Sequence, residues 1–305
     1  MPCGPSITFP RCGGLELATV ASPGSVKTIC AVILLAGTFG IPSLHIFHIN
    51  SNPASCTPMN LPCKYPTCFA FSPDGQRLAV GTTTGQTFVW NTQNGVCEKD
   101  WTCKTEVKSL AFAPNGAYIS TATIHGTYSW AIADAQPTSD LQTSVCASDL
   151  SYSIGGELAV THDNGIYLVA PGEPFSIKPT EIWTWSRRNT DHVCWSCDQN
   201  LRWGTGTLYS YELQFPLDLD PPHSVGIVNR LSDQDNYRCI VSSPDSRYMA
   251  IGTIYCQVLL YDLDSDLVPY RLDGHKSPVS IVGFSHCDSD GSMVLSVDSN
   301  MTLYV

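Results

Sequence analysis

The chain has 305 residues, 43% of them apolar and only 14% charged. Its 16 Lys and Arg against 27 Asp and Glu give a formal net charge of −11. That balance argues against a nucleic-acid or anionic-membrane partner, because both are held through clustered cations. The apolar fraction is sufficient for a core, and 23 Gly with 21 Pro point to many short elements joined by turns.

In chain order, the opening MPCGPSITFPRCGG has no basic segment leading into an apolar run, so it does not read as a signal peptide. Within it, Ser6 to Phe9 has strand character. Next, Ala18 to Asn50 contains the turn Ser22-Pro23-Gly24, the apolar run Ile29 to Ala36 and the segment SLHIFHIN. The apolar run is far shorter than the roughly 20 residues of a membrane helix. It is closed by Gly37 and Gly40 and reads as a buried strand. A Pro-rich connection, SNPASCTPMNLPCKYP, follows.

Phe69 to Asn91 reads FAFSPDGQRLAVGTTTGQTFVWN. Three short apolar runs are separated by a Pro-Asp-Gly turn and a Thr/Gly turn, and the third run ends on Trp90. Three such strands are too few to stand alone in water. The pattern recurs at Leu110 to Ala131 (LAFAPNGAYISTATIHGTYSWA) and at Ile240 to Asp262 (IVSSPDSRYMAIGTIYCQVLLYD). Weaker copies stand at Leu150 to Ala170, Val193 to Glu212 and Val279 to Val305. Together they define seven copies, near 18–51, 69–95, 109–135, 146–173, 192–216, 236–265 and 279–305. Their turn markers at 23, 73, 114, 154, 197, 244 and 287 are spaced 40 to 50 residues apart. Four short strands repeated every 40–45 residues or so is the signature of a propeller.

On these residues the chain resembles the WD40-repeat β-propellers over essentially its full length, with FSPDG…LAVG…VWN at 71–91 the strongest copy. The resemblance implies an all-β fold in a single domain, 1–305: a seven-bladed β-propeller of four-stranded antiparallel blades. It also implies a non-enzymatic scaffold or adaptor that uses its loop faces to bind other proteins, with no cofactor. Within the family, the eroded repeats look most like the C-terminal sensor region of NACHT-type signalling proteins. The family's Gly-His dipeptide occurs once, as Gly274-His275. The turn Asp that pairs with that His is expected to be missing from every copy, with Thr84, His125, Asn164, Thr205, Tyr255 and Asn300 in its place. The blades are then held mainly by apolar packing. The last copy stops one residue before its Trp position. The N-terminal strand is expected to complete that blade and close the ring, the alternative being that the chain is part of something longer.

Candidate chemistry is thin. Fourteen Cys are present, several of them inside apparent strands, and reduced cytoplasmic thiols are the expectation. Cys194 and Cys197 form a C-x-x-C on a strand rather than at a helix start, so no redox role is assigned. Cys56, Cys63 and Cys68, with Cys12, lack the tight pairing of a zinc site. His45 and His48 fall on opposite faces of one strand. Asp262, Asp264, Asp266 and Asp273 imitate a calcium loop, but Leu267 replaces its turn Gly and Pro269 follows. The innermost strands are expected to carry no His, Asp or Glu centrally, with Asp149 just outside one. This weighs against the rival reading of a ligand-binding or hydrolytic central channel. The candidate partner-binding residues are Trp185, Arg187 and Arg188, in a Trp-rich segment holding the sequence's only double-basic site; Trp and Arg are the residues most enriched at binding hot spots.

Overall fold

The computed structural model describes residues 66–133, 146–153, 155–162, 237–243, 247–262, 269–284, 294–300 and 302–304. Elsewhere it describes the strand backbones at 6–8, 17–21, 29–36, 42–48, 55–60, 137–141, 165–169, 180–184, 192–195, 201–205 and 209–213. Every strand pair among the described residues is antiparallel, and the strands group into successive sheets. The first sheet is Leu17–Ala21, Ile29–Ala36, Pro42–His48 and Ser55–Asn60. The second is Pro66–Phe71, Arg77–Thr82, Gln86–Asn91 and Cys97–Thr102. The third is Val107–Phe112, Tyr118–Thr123, Gly126–Ala131 and Pro137–Leu141.

The fourth sheet is Ala147–Tyr152, Leu158–His162, Gly165–Val169 and Thr180–Thr184. A fifth holds His192–Trp195, Leu201–Thr205 and Tyr209–Leu213. The sixth is Tyr237–Ser242, Tyr248–Thr253, Gln257–Asp262 and Tyr270–Asp273. In the seventh, Val279–Phe284, Val294–Asp298 and Thr302–Tyr304 are joined by Ser6–Thr8, which pairs with Thr302–Tyr304.

Within a sheet the composition follows burial. Second strands such as RLAVGT, YISTAT and YMAIGT are buried on both faces along almost their whole length. They therefore read as continuous small and apolar runs rather than as alternating ones. The fourth strands CEKDWT and YRLD are mostly exposed and correspondingly polar. One exception on this outer edge is Trp101, which is buried and stacks on Trp130 of the next sheet with ring centroids 5.4 Å apart.

Sheet-to-sheet packing is set by a three-residue volume match. Cys68 lies opposite Gly81 across the first strand pair of the second sheet. A Cβ on Gly81 would come within 2.6 Å of the Cys68 sulfur and 2.7 Å of Val107 on the next sheet. The sixth sheet repeats the arrangement: Cys239 faces Gly252, whose added Cβ would meet that sulfur at 2.5 Å and Val279 at 2.8 Å. In the third sheet the same three positions hold Ser109, Ala122 and Ala147. Where the first and next-sheet residues are larger the middle one is Gly, and where they are smaller it is Ala. In these three sheets close packing ties the sizes together, whereas the fourth and seventh sheets pair Asp149 with Thr161 and Ile281 with Val297 at the equivalent positions.

Turn chemistry also repeats with one substitution. Gly85 (φ 83°) and Gly126 (φ 128°) occupy left-handed positions between second and third strands, and Cys256 occupies the corresponding place in the sixth sheet at φ 64°. Replacing Gly81 or Gly252 by Ala should destabilise the protein by about 1–3 kcal/mol through overpacking. Cys256→Gly should instead raise stability, by up to about 1 kcal/mol after allowing for glycine's greater freedom when unfolded. Urea unfolding of the three variants checks both signs.

Candidate partner-binding loop face

The first strand of each well-described sheet carries the same irregularity. The register shifts between Pro66 and Cys68, Val107 and Ser109, Ala147 and Asp149, Tyr237 and Cys239, and Val279 and Ile281. A bulge of this kind leaves one residue outside the ladder and re-aims its side chain. The bulged residues are Thr67, Lys108, Ser148, Arg238 and Ser280. Three of them reach toward a neighbouring sheet: Thr67 Oγ1 donates to the Val107 carbonyl, Lys108 Nζ lies 3.3 Å from Cys146 Sγ, and Arg238 Nη1 lies 3.5 Å from Ser299 Oγ. At the next position along, Ser109 Oγ donates to Asp149 Oδ1 at 2.7 Å.

The connections that lead into these strands share an end with the turns between second and third strands. Cys103 N donates to the Gly85 carbonyl at 2.7 Å, and Ser299 N to the Pro278 carbonyl at 2.9 Å. Asn300 N donates to Ser277 Oγ at 3.0 Å. Loops held this way against a sheet scaffold are the usual carriers of recognition.

The best-formed polar network at this end centres on His275. Its Nε2 is 2.8 Å from Ser296 Oγ, and its Nδ1 is 3.1 Å from Asp298 Oδ2, out of line for a straight hydrogen bond. Both side chains are almost fully buried, at 3% and 1% exposure. The Tyr304 ring meets the imidazole edge-on at 4.4 Å, and its hydroxyl donates to the Gly274 carbonyl at 2.8 Å. Asp298 Oδ1 in turn accepts from Asn300 N and Thr302 N, which fastens the turn.

The expectation that the turn Asp is missing from every copy is therefore corrected. Its place is two residues before Asn300, and Asp298 fills it. In other sheets Thr does the turn-closing part of the work: the hydroxyls of Thr82, Thr123 and Thr253 donate to the carbonyls of Gln86, Gly126 and Gln257. The third sheet has Cys103 four residues before Val107, as His275 stands before Val279. Cys103 Sγ lies 3.6 Å from Thr121 Oγ1, an ordinary distance for a thiol, which is a weak partner, and Trp130 Nε1 approaches the same oxygen only at 3.5 Å, where an N–H bond contributes little.

Burial holds His275 below the ordinary imidazole value of 6.5, with the Asp298 contact opposing the shift. A histidine depressed in the folded state binds its proton better once unfolded. Its contribution to stability is intact above about pH 6.5 and is lost as the pH falls below that value. The thermal midpoint should drop between pH 7.5 and 5.5, and His275→Gln should flatten that dependence while costing about 1–3 kcal/mol at neutral pH. Calorimetric scans of both proteins across that range provide the check.

Of the residues singled out from sequence, Trp185, Arg187 and Arg188 lie outside the described residues, as do Cys12, Cys63, Cys197, Asp264 and Asp266. Cys194 lies in the strand His192–Trp195, Cys56 in Ser55–Asn60, and His45 and His48 in Pro42–His48. The Cys68 thiol points under the next sheet, 3.6 Å from the Val107 carbonyl. Asp262 is bridged to Arg247 at 3.3 Å, and Asp273 accepts from Gln257 Nε2 at 2.8 Å.

The reading of innermost strands without central His, Asp or Glu is also corrected at Asp149. Four of these strands begin one to three residues earlier than the apolar runs imply, so Asp149 and His192 fall inside them, as do the cations Lys108 and Arg238. Sequence patterning missed Lys108 and Arg238 because a bulge interrupts the alternation at those positions. Their shared signal is a polar residue one place after the strand's first residue in repeat after repeat.

The WD40 family model (WD domain, G-beta repeat) matches residues 62–91. No curated protein matches the sequence. Among solved structures, the β-propeller domain of Myceliophteria thermophila Cps50 (Swd1) is similar, with a TM-score of 0.75 at 11% sequence identity, covering 98% of each chain. Residues 62–91 thus match a WD40 repeat, and the chain as a whole has the fold of a β-propeller domain.

Proposed function

We propose that the protein is a seven-bladed propeller whose ring closes through the N-terminal strand, and that it serves as a non-enzymatic scaffold binding other proteins through its loops. The observation that carries the reading is the contact of each sheet's first strand with the first strand of the next. The series runs from Leu17–Ala21 through Pro66–Phe71, Val107–Phe112, Ala147–Tyr152, His192–Trp195 and Tyr237–Ser242 to Val279–Phe284, which in turn touches Leu17–Ala21. Pairing of Ser6–Thr8 with Thr302–Tyr304 supports closure for a physical reason, since it covers two strand edges that would otherwise be free to pair with other chains. WD40 propellers generally bind other proteins. The division of labour here fits that role, with second strands of similar small and apolar character and loops that differ from copy to copy.

Packing of the Cys68, Cys103 and Cys239 thiols against neighbouring sheets as small apolar groups fits a reducing compartment, and we place the protein in the cytoplasm. The rival channel chemistry has two observations in its favour, Asp149 and His192 on first strands, but the Asp149 carboxylate is already engaged by Ser109 Oγ and Leu150 N.

A closed ring of this length has an expected radius of gyration of about 19 Å, measurable by small-angle scattering; a clearly larger value overturns closure. Affinity capture with mass spectrometry tests the partner role. The expected outcome is a partner set that is lost on reversing Arg187 and Arg188 to Glu; unchanged capture removes those two residues from the binding surface.

A further inference from the structure

We propose that the end of the sheets carrying the bulged residues is a docking rim for an acidic peptide segment of a partner protein, an inference that rests on the ring arrangement proposed above. The bulge position is occupied by Thr67, Lys108, Ser148, Arg238 and Ser280. All five are hydrogen-bond donors, and none is acidic or apolar. A bulge takes its residue out of the ladder, so the repeat sets one polar residue per described sheet at the same level of the proposed ring; the Thr67 hydroxyl is spent on the Val107 carbonyl and Ser280 meets Ser299, which leaves Lys108 and Arg238 as the exposed cations of the set.

Among the described residues, the cations at this end form no ion pair. Lys104 and Lys276 are exposed and form no ion pair with any described residue. Lys108 is bonded to a thiol and Arg238 to a hydroxyl. At the opposite end of the sheets both described arginines are matched, Arg77 with Glu98 at 2.8 Å and Arg247 with Asp262 at 3.3 Å. Among the described residues, four carboxylates share this end with the four cations, one of them, Asp298, buried beside His275. Asp149 accepts from Ser109 Oγ and Leu150 N, Asp273 accepts from Gln257 Nε2, and Glu106 is exposed.

A donor-rich rim in a chain of net charge −11 suits a short anionic segment better than a polyanion, which the rest of the surface repels. The same end exposes Ile124 and Tyr255, at 43% and 54%, on turns between second and third strands. Apolar groups set among cations fit a peptide in which acidic and apolar residues alternate.

Fluorescence anisotropy with a fluorescein-labelled peptide of Glu-Glu-Leu repeats tests the rim on the full chain. The wild type should bind saturably and more weakly as salt is added. Lys108→Glu with Arg238→Glu should weaken binding about tenfold or more, whereas Arg77→Glu with Arg247→Glu should leave it near the wild-type value. Absent binding, equal binding by all three proteins, or a preference for a like-charged oligothymidylate or for phosphatidylserine vesicles overturns the proposal. If the rim double variant does not fold, Lys104→Glu with Lys276→Glu carries the comparison, because those side chains hold nothing together. Scattering from the same samples separates the two failures: a compact particle that does not bind overturns the rim alone, and an extended one overturns the ring beneath it.

Discussion

The fit of one sheet's first two strands against the first strand of the next is the constraint on which the rest depends. A four-stranded sheet with second strands as apolar as RLAVGT and YMAIGT has two faces to cover and no means of covering them itself. The cover is supplied at close range, with Val107 and Val279 filling the space that a side chain on Gly81 or Gly252 would take. The bulges at Lys108 and Arg238 start at the same contact. The residue just before each bulge (Val107) or just after it (Cys239) is the one fixed against the neighbouring sheet. Packing and presentation are therefore coupled: the interaction that orders the sheets also sets where the donors of the loop face begin.

Polar interactions are distributed unevenly over this apolar frame. The His275, Ser296 and Asp298 network is complete enough to fix a turn and a connection together, whereas its counterpart around Cys103 and Thr121 consists of long, weak contacts. Between the third and fourth sheets a different solution appears. Ser120, Ser129 and the Tyr152 hydroxyl form a buried chain of hydrogen bonds of 2.6 and 2.7 Å, and burial pushes the tyrosine up to about 12, so it stays a neutral donor. Such variation is tolerated because each interface needs only to satisfy its own buried groups.

The strands themselves were legible in the sequence for a local reason. Runs such as FAFSPDGQRLAVG carry turn residues whose backbone preferences act over four positions, and small apolar residues that a two-sided buried strand demands. The site was not legible in the same way. Asp298 was overlooked because the strand pattern points to Asn300, two residues on, as the pairing position, whereas Asp298 stands in the place of Thr82 and Thr253, four residues before the residue it bonds across the turn. Lys108 and Arg238 were overlooked because a bulge breaks the period of two on which a strand reading rests. Both errors concern register, which is a property of two strands rather than one.

By itself the sequence determined the class of structure: short strands, a period of about forty residues, turns at known places, and a charge balance unsuited to polyanions. These follow from backbone preferences and hydrophobic burial, which each segment carries with it. Only the tertiary structure decided which residues meet across sheets. Gly81 opposite Cys68 beneath Val107, His275 beside Asp298, and Arg238 near Ser299 are contacts between segments far apart in the chain. No local preference encodes them, because each exists only once neighbouring sheets have been brought into van der Waals contact.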